Sequence, residues 1–161
     1  MLVTSISGGG SGATTASMLP VTPTASSERS GGNYPVQQAV NMALTSRGWM
    51  QANSEDTGNP YVEMDLGSTK SVKYLMFGVG SGENYGTAWS KSDISVTVAT
   101  ATSGSYSTLF TETFHRNGTT PFFYSIYPIN QSAQKVKVTI NYISGENLSQ
   151  GIGYKMAVFG E

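Results

Sequence analysis

The chain has no cysteine among its 161 residues. That excludes structural disulfides and thiolate-bound metals and leaves the packed core to hold the fold. Histidine occurs once, as His115, with no cysteine nucleophile to serve. No Gly-x-Ser-x-Gly elbow offers a serine instead. Charge is sparse: charged residues make up 12% and the net charge is −1. There is no basic face to neutralise phosphates and no polybasic or lipidation signal, so neither nucleic acid nor a membrane is expected as a partner. No apolar run reaches the roughly 20 residues of a membrane span. The opening Met-Leu-Val-Thr-Ser-Ile-Ser-Gly-Gly-Gly lacks the basic and apolar regions of a secretory signal. No cofactor is expected.

What the chain does have is turn formers and hydroxyls, with 19 Gly and 9 Tyr. That balance suits an all-β protein better than a helical bundle. Residues 1–23 are rich in Gly, Ser and Thr and carry no charge, which predicts an extended N-terminal arm ahead of a domain over 24–161. Val36, Ala39, Val40, Ala43 and Leu44 have helical spacing behind Pro35. Strands are predicted near 49–52, 61–66, 72–79, 94–100, 109–114, 122–126, 136–142 and 154–159. The clearest is Lys135-Val-Lys-Val-Thr-Ile-Asn141, with Val136, Val138 and Ile140 inward; Ile94, Val96 and Val98 repeat the pattern. Eight short antiparallel strands with one short helix predict a β-sandwich of jelly-roll type. Val62, Met64, Leu66, Tyr74, Met76, Val96, Val138 and Val158 are its expected core.

The stretch Asn59-Pro-Tyr-Val-Glu-Met-Asp-Leu-Gly67 places Val62, Met64 and Leu66 on one strand face and Glu63 and Asp65 on the other. Ser71-Val-Lys-Tyr-Leu-Met-Phe-Gly-Val79 follows as a strand covered on both sides. This pair resembles the central hairpin of the discoidin-like family, also called the factor V/VIII type C or galactose-binding-like fold. Ala25-Ser-Ser-Glu28, Ala39-Val-Asn41, Gly48-Trp49 and Met156-Ala-Val-Phe-Gly160 extend the resemblance from about Thr24 to Gly160. The chain is similar to the family 32-type carbohydrate-binding modules of that group. The resemblance implies a binding module without a catalytic site. It also implies a structural Ca²⁺ between an Ala-x-Asp-Gly loop and a last-strand Glu, but here Asn41 and Lys155 stand in those places. Hard oxygen ligands are what Ca²⁺ requires, so no metal is expected.

Several side chains draw attention for binding. Trp89 lies in the polar stretch Gly80 to Ser90 with Glu83, Asn84 and Tyr85. A stacking ring beside planar hydrogen-bonding groups is the chemistry of a sugar site. In the resembling family such loops form the ligand-facing rim, and Tyr34 and Asn147 are expected to border the same end. The bland alternative, Trp89 folded back as a plug, weighs about equally. Trp49 takes a place that is usually core. Asp65, before Gly67, is expected to bond turn amides rather than react. The triplets beginning at Asn117, Asn130 and Asn147 fit the Ser/Thr/Asn-rich composition as well as glycosylation.

These features predict a non-enzymatic carbohydrate-binding or adhesion module, at a virion or extracellular surface. It would be displayed on a larger assembly such as a phage capsid or tail, or in a homo-oligomer. The arm would supply the anchor to other protein subunits through Leu2, Val3, Ile6, Met18 and Leu19. Two other readings stay open: a purely structural decoration or adaptor protein, and an accessory domain of a secreted glycoside-active enzyme.

Overall fold

Two unusually long strands organise the molecule. A computed structural model describes residues 5–7, 15–28, 35–42, 48, 59–81, 93–115, 123–141 and 152–161. In chain order its strands are β1 (Ser5–Ser7), β2 (Thr15–Met18), β3 (Thr22–Ala25), β4 (Tyr61–Ser81), β5 (Asp93–Ala101), β6 (Ser107–His115), β7 (Phe123–Asn141) and β8 (Ile152–Gly160). Every pairing among them is antiparallel.

β4 and β7 each serve both layers of a sandwich. In the first layer, residues 61–65 of β4 lie between β3 and the 135–141 part of β7, which in turn carries β5 and then β6. In the second layer, residues 72–81 of β4 lie between β8 and the 123–131 part of β7, with β2 and β1 extending beyond β8. Between the layers sits the core predicted from period-two alternation. Val62, Met64, Leu66, Val96, Val98, Val136, Val138 and Ile140 come from the first layer; Leu75, Phe77, Val79, Tyr154, Met156 and Val158 come from the second.

The crossings occur where the ladder breaks. Between the pairs Asp65↔Lys135 and Lys70↔Ala133, β4 carries an excursion that β7 does not match. Gly67 takes φ +72 there, a conformation that costs a residue with a Cβ. The Asp65 carboxylate accepts the Gly67 N–H at 2.7 Å, the turn-stabilising role expected of it. Between Val72↔Gln131 and Tyr74↔Pro128, two residues of β7 face one of β4. Asn130 holds φ +50 in that bulge, as Asn tolerates better than most residues.

The run 72–79 is covered on both faces, as its apolar sequence implies. Leu75, Phe77 and Val79 enter the main core, while Met76 joins Ala16, Met42, Ala157 and Phe159 in a second cluster on the outer face. Tyr74, expected in the core, is only partly buried against this second cluster.

Two segments differ from expectation. Residues 15–18 and 22–23, expected within the arm, belong to strands of the sandwich: Met18 pairs with Phe159, and Thr22 to Ala25 pair with Asp65 to Val62. Their sequence carries no long apolar alternation; the pairing comes from sheet edges that the rest of the fold supplies. The expected helix from Pro35 is a single 3₁₀ turn over Val36–Gln38. Its Val36 N–H goes to Glu28 Oε1 at 2.8 Å, and the Ala39 carbonyl accepts Met156 N–H at 2.6 Å. With Ala39 bonded to β8, the segment closes the edge of that strand beyond β2 instead of continuing to coil.

Candidate functional site

The strand registers gather the connecting segments at one end of the sandwich. Ser81 is the partner of Ile152, and Val79 pairs with both Phe123 and Tyr154. A Cβ on Gly48 would come within 2.6 Å of Tyr154 N, so that glycine lies against the same rim. In the first layer, Asp93 pairs with His115 and Ser95 with Asn141, while Ile140 N–H donates to Pro60 O at 2.8 Å. Segments 49–58, 82–92, 116–122 and 142–151 therefore all leave one rim and enter the other. Because β4 and β7 each pass once from one layer to the other, and the two layers share one core, both rims sit at the same end. Ser26, which leads into 29–34, is tied there too: Ser26 N–H donates to Tyr61 O at 3.0 Å, and Tyr61 N–H donates to Ser26 Oγ at 2.9 Å.

Trp89, Tyr85, Asn84, Glu83, Tyr34 and Asn147 lie outside the described residues, as do Trp49, Asn117, Leu2 and Val3. The structure nonetheless supplies what the sequence could not: the Trp89-bearing segment leaves Ser81 beside Ile152, where the Asn147-bearing one ends. Of the expected anchor residues, Met18 and Leu19 pack within this chain. Leu19 lies against the main core and Met18 against the second cluster, and both line a cavity of about 160 Å³ with Val40, Met156, Ala157 and Val158. Ile6 lies in edge strand β1, opposite Ala16.

The place where the resemblance implies Ca²⁺ is formed by other chemistry. The Asn41 segment does adjoin the last strand, through the Ala39–Met156 bond. Asn41 itself is exposed, its amide donating weakly to Gln38 Oε1 at 3.5 Å. Lys155 is fully buried, in register with Gly78 and on the face away from the main core. Burial pushes its ammonium down to about 8. A cationic side chain and a neutral amide in place of two carboxylates do not fit a divalent cation.

A second polar constellation went unnoticed in the sequence. On the outer face of the first layer, Lys135 Nζ donates to Glu63 Oε1 at 2.7 Å and Tyr106 OH to Glu63 Oε2 at 2.5 Å. Lys137 Nζ stands 4.2 Å from the Tyr106 ring centroid and 5.3 Å from that of Tyr61. Burial pushes the Glu63 carboxyl up, but the bonds from Lys135 and Tyr106 and the two lysine charges outweigh it, so the group sits below its ordinary value. Burial first, and then the bond to Glu63, hold the Tyr106 phenol well above its ordinary value. Glu63, Tyr106 and Lys135 line a cleft of about 400 Å³ with Ala101, Ser103, Gly104 and Gln134. Strand alternation places Glu63 and Lys135 outward, but nothing in the sequence links residues 43 and 72 positions apart.

No protein-family model and no curated protein sequence matches the chain. Solved structures do match. The family 32 carbohydrate-binding module of C. perfringens NanJ, in complex with galactose, aligns with a TM-score of 0.63 at 16% identity, over 89% of this chain and 98% of that one. This is the discoidin-like, galactose-binding-like fold. A second module of that type from Clostridium perfringens, CpGH89CBM32-5 in complex with GalNAc-beta-1,3-galactose, aligns with the galactose-binding-like sandwich at a TM-score of 0.63 and 14% identity, over 89% and 100% of the two chains. The family 32 module of AlyQ, in complex with 4,5-unsaturated mannuronic acid, gives 0.59 and 20% over 88% and 97%. At such identities the likeness establishes architecture; any ligand must be argued from this chain's own residues.

Proposed function

We propose that this galactose-binding-like sandwich is a non-enzymatic carbohydrate-binding module whose ligand is held at the end where the connecting segments converge. The observation that carries the reading is the register pair Ser81↔Ile152, which roots the Trp89-bearing segment beside the Asn147-bearing one. The three solved neighbours, each a carbohydrate-binding module in complex with a saccharide or uronic acid, support the same class. Trp89 or Tyr85 would supply the stacking ring, and Glu83, Asn84, Tyr34 and Asn147 the hydrogen bonds.

The module is displayed on a larger assembly, such as a phage capsid or tail. Its N-terminal segment is the anchor, with the contacts falling on Leu2, Val3 and Ile6. Edge strand β1 supports this, because an edge presents unpaired backbone groups to a neighbouring strand.

A glycan array with the full chain tests the reading, followed by titration of the best hit against Trp89→Ala. Loss of ~1–3 kcal/mol in that variant is expected, the scale of a well-used aromatic contact. Unchanged affinity would remove Trp89 from the site, and a silent array would remove the function.

A further inference from the structure

The Glu63–Tyr106–Lys135 cleft has the chemistry of a binding site in its own right. Glu63 is held in place by two donors, one on each carboxylate oxygen. Each oxygen keeps a lone pair, and the Lys135 ammonium keeps two further N–H donors. An acceptor and a donor fixed side by side match two adjacent hydroxyl groups. Gln134 adds a planar amide with both functions, and Ser103 a hydroxyl. Ala101 and Gly104 leave room for a ring, since a Cβ on Gly104 would meet nothing within 4 Å. The volume of about 400 Å³ exceeds what a single sugar ring occupies.

We propose that this cleft is a second saccharide site, taking one neutral sugar unit with adjacent hydroxyls on the outer face of the first layer. It rests on the reading of the chain as a carbohydrate-binding module, but not on the loop end. Along β5, Ala101 at the cleft is separated from Asp93 at the rim by ~26 Å at the usual strand rise. The preference for a neutral unit follows from local charge. Glu63 and Asp65 stand against Lys135 and Lys137 in register across β4 and β7, so neither an acidic nor an amino sugar gains net attraction. The Lys137 ammonium already occupies the Tyr106 ring. Recognition is therefore by hydrogen bonds, not by stacking on that tyrosine.

The test is a titration of the isotope-labelled full chain, read by amide chemical shifts. Galactose, lactose and cellobiose serve as neutral probes, with galacturonate and glucosamine as charged ones. Neutral sugars should shift Ser103, Gly104, Gln134 and Lys135 saturably. Gln134→Ala should weaken that response about tenfold, the effect of one lost hydrogen bond in the stronger range. It should leave any response of the loop end intact, and Trp89→Ala should do the reverse. A silent cleft in every neutral titration overturns the proposal. So does a response that survives both Gln134→Ala and Glu63→Gln, or one stronger for the charged sugars. A cleft that responds while the loop end stays silent would sink the loop-end reading and leave this one standing.

Discussion

The backbones of Ser71 and Glu161 bond each other in both directions, Ser71 N–H to Glu161 O at 3.1 Å and Glu161 N–H to Ser71 O at 3.0 Å. This clasp fastens the end of β8 to β4 just before the Val72–Tyr74 irregularity. Between them, Gly160 lies so close that an added Cβ would collide with the Ser71 carbonyl. Gly160→Ala must push β8 away from β4 and is expected to cost ~2–4 kcal/mol in urea unfolding. Gly67→Ala has open space but a φ of +72, so strain alone should cost ~1 kcal/mol. Gly104→Ala should be nearly silent. A different order among the three would mean that the Ser71–Glu161 contact is looser than described.

The main core was legible because alternation marks each strand without knowledge of its partner. Val136, Val138 and Ile140 are inward wherever the strand pairs, and all are fully buried. What alternation cannot show is continuity. The chain reads as two strands on either side of Gly67, yet β4 runs through, because β7 keeps pairing with it at Lys70 and Ser71. Likewise Pro128 reads as a strand breaker, but β7 meets Tyr74 there at a bulge. Strand β2 was hidden for another reason. Thr15-Ala-Ser-Met18 has little to bury by itself and becomes a strand only because β8 offers it an edge. At the candidate sites, residue types were readable but neighbours were not; nothing local says that Ser81 meets Ile152 or that Tyr106 meets Glu63.

Lys155 should give the protein an alkaline stability rise. Its folded value of about 8 lies below the ordinary lysine value of 10.5, so between those limits the unfolded chain binds more protons. Stability then increases with pH across that window. Above pH 10 the trend should reverse. Burial raises the folded values of Tyr106, Tyr124 and Tyr127, and a raised value means stability lost as the phenols of the unfolded chain ionise first. Urea midpoints from pH 7 to 11 check both limbs. Lys155→Met should flatten the rise and leave neutral-pH stability equal or higher; a rise that persists in that variant would assign it to another group.

The same position permits a metal experiment. The Ala39 carbonyl already bonds into β8 at Met156, one residue from Lys155. In the chain as it stands, Ca²⁺ or chelator should leave thermal melts unchanged. Asn41→Asp combined with Lys155→Glu supplies two carboxylates at the juxtaposition and should create Ca²⁺-dependent stabilisation. Failure of the double variant to respond to Ca²⁺ would show that the two positions do not converge.

The Glu63 cluster also staples the β5–β6 hairpin to the sheet. Tyr106→Phe removes one hydrogen bond to a carboxylate and should cost ~1–2 kcal/mol. Lys135→Met loses an ion pair that solvent reaches on its lysine side and should cost less than that. Because the folded Glu63 value is depressed, its contribution is present above the ordinary carboxylate range and fades as pH falls through the folded value. Acid titration of stability in the wild type and in Glu63→Gln isolates it; identical profiles would show that the cluster carries no coupling.

Truncation separates an arm from a strand. Removing residues 1–7 deletes β1, an edge strand paired with β2 alone among the described residues, and should leave unfolding by urea little changed. If the segment is the anchor, the same deletion should abolish incorporation into the assembly. Removing residues 1–23 is a different operation. It deletes β2 and half of β3, the fully buried Ala16, the partly buried Leu19 and Val21 on the main core, and the Leu19 N–H bond to Val158 O at 2.8 Å. Exposing the core edge under those side chains and freeing those backbone groups should cost ~3–6 kcal/mol. Against the ~5–15 kcal/mol that holds a domain of this kind, such a loss leaves the chain near its unfolding threshold. Residues 24–161 alone should therefore melt far below the full chain or fail to fold. A fragment of 24–161 as stable as the full chain would make residue 23 the edge of the domain and assign β2 to the arm.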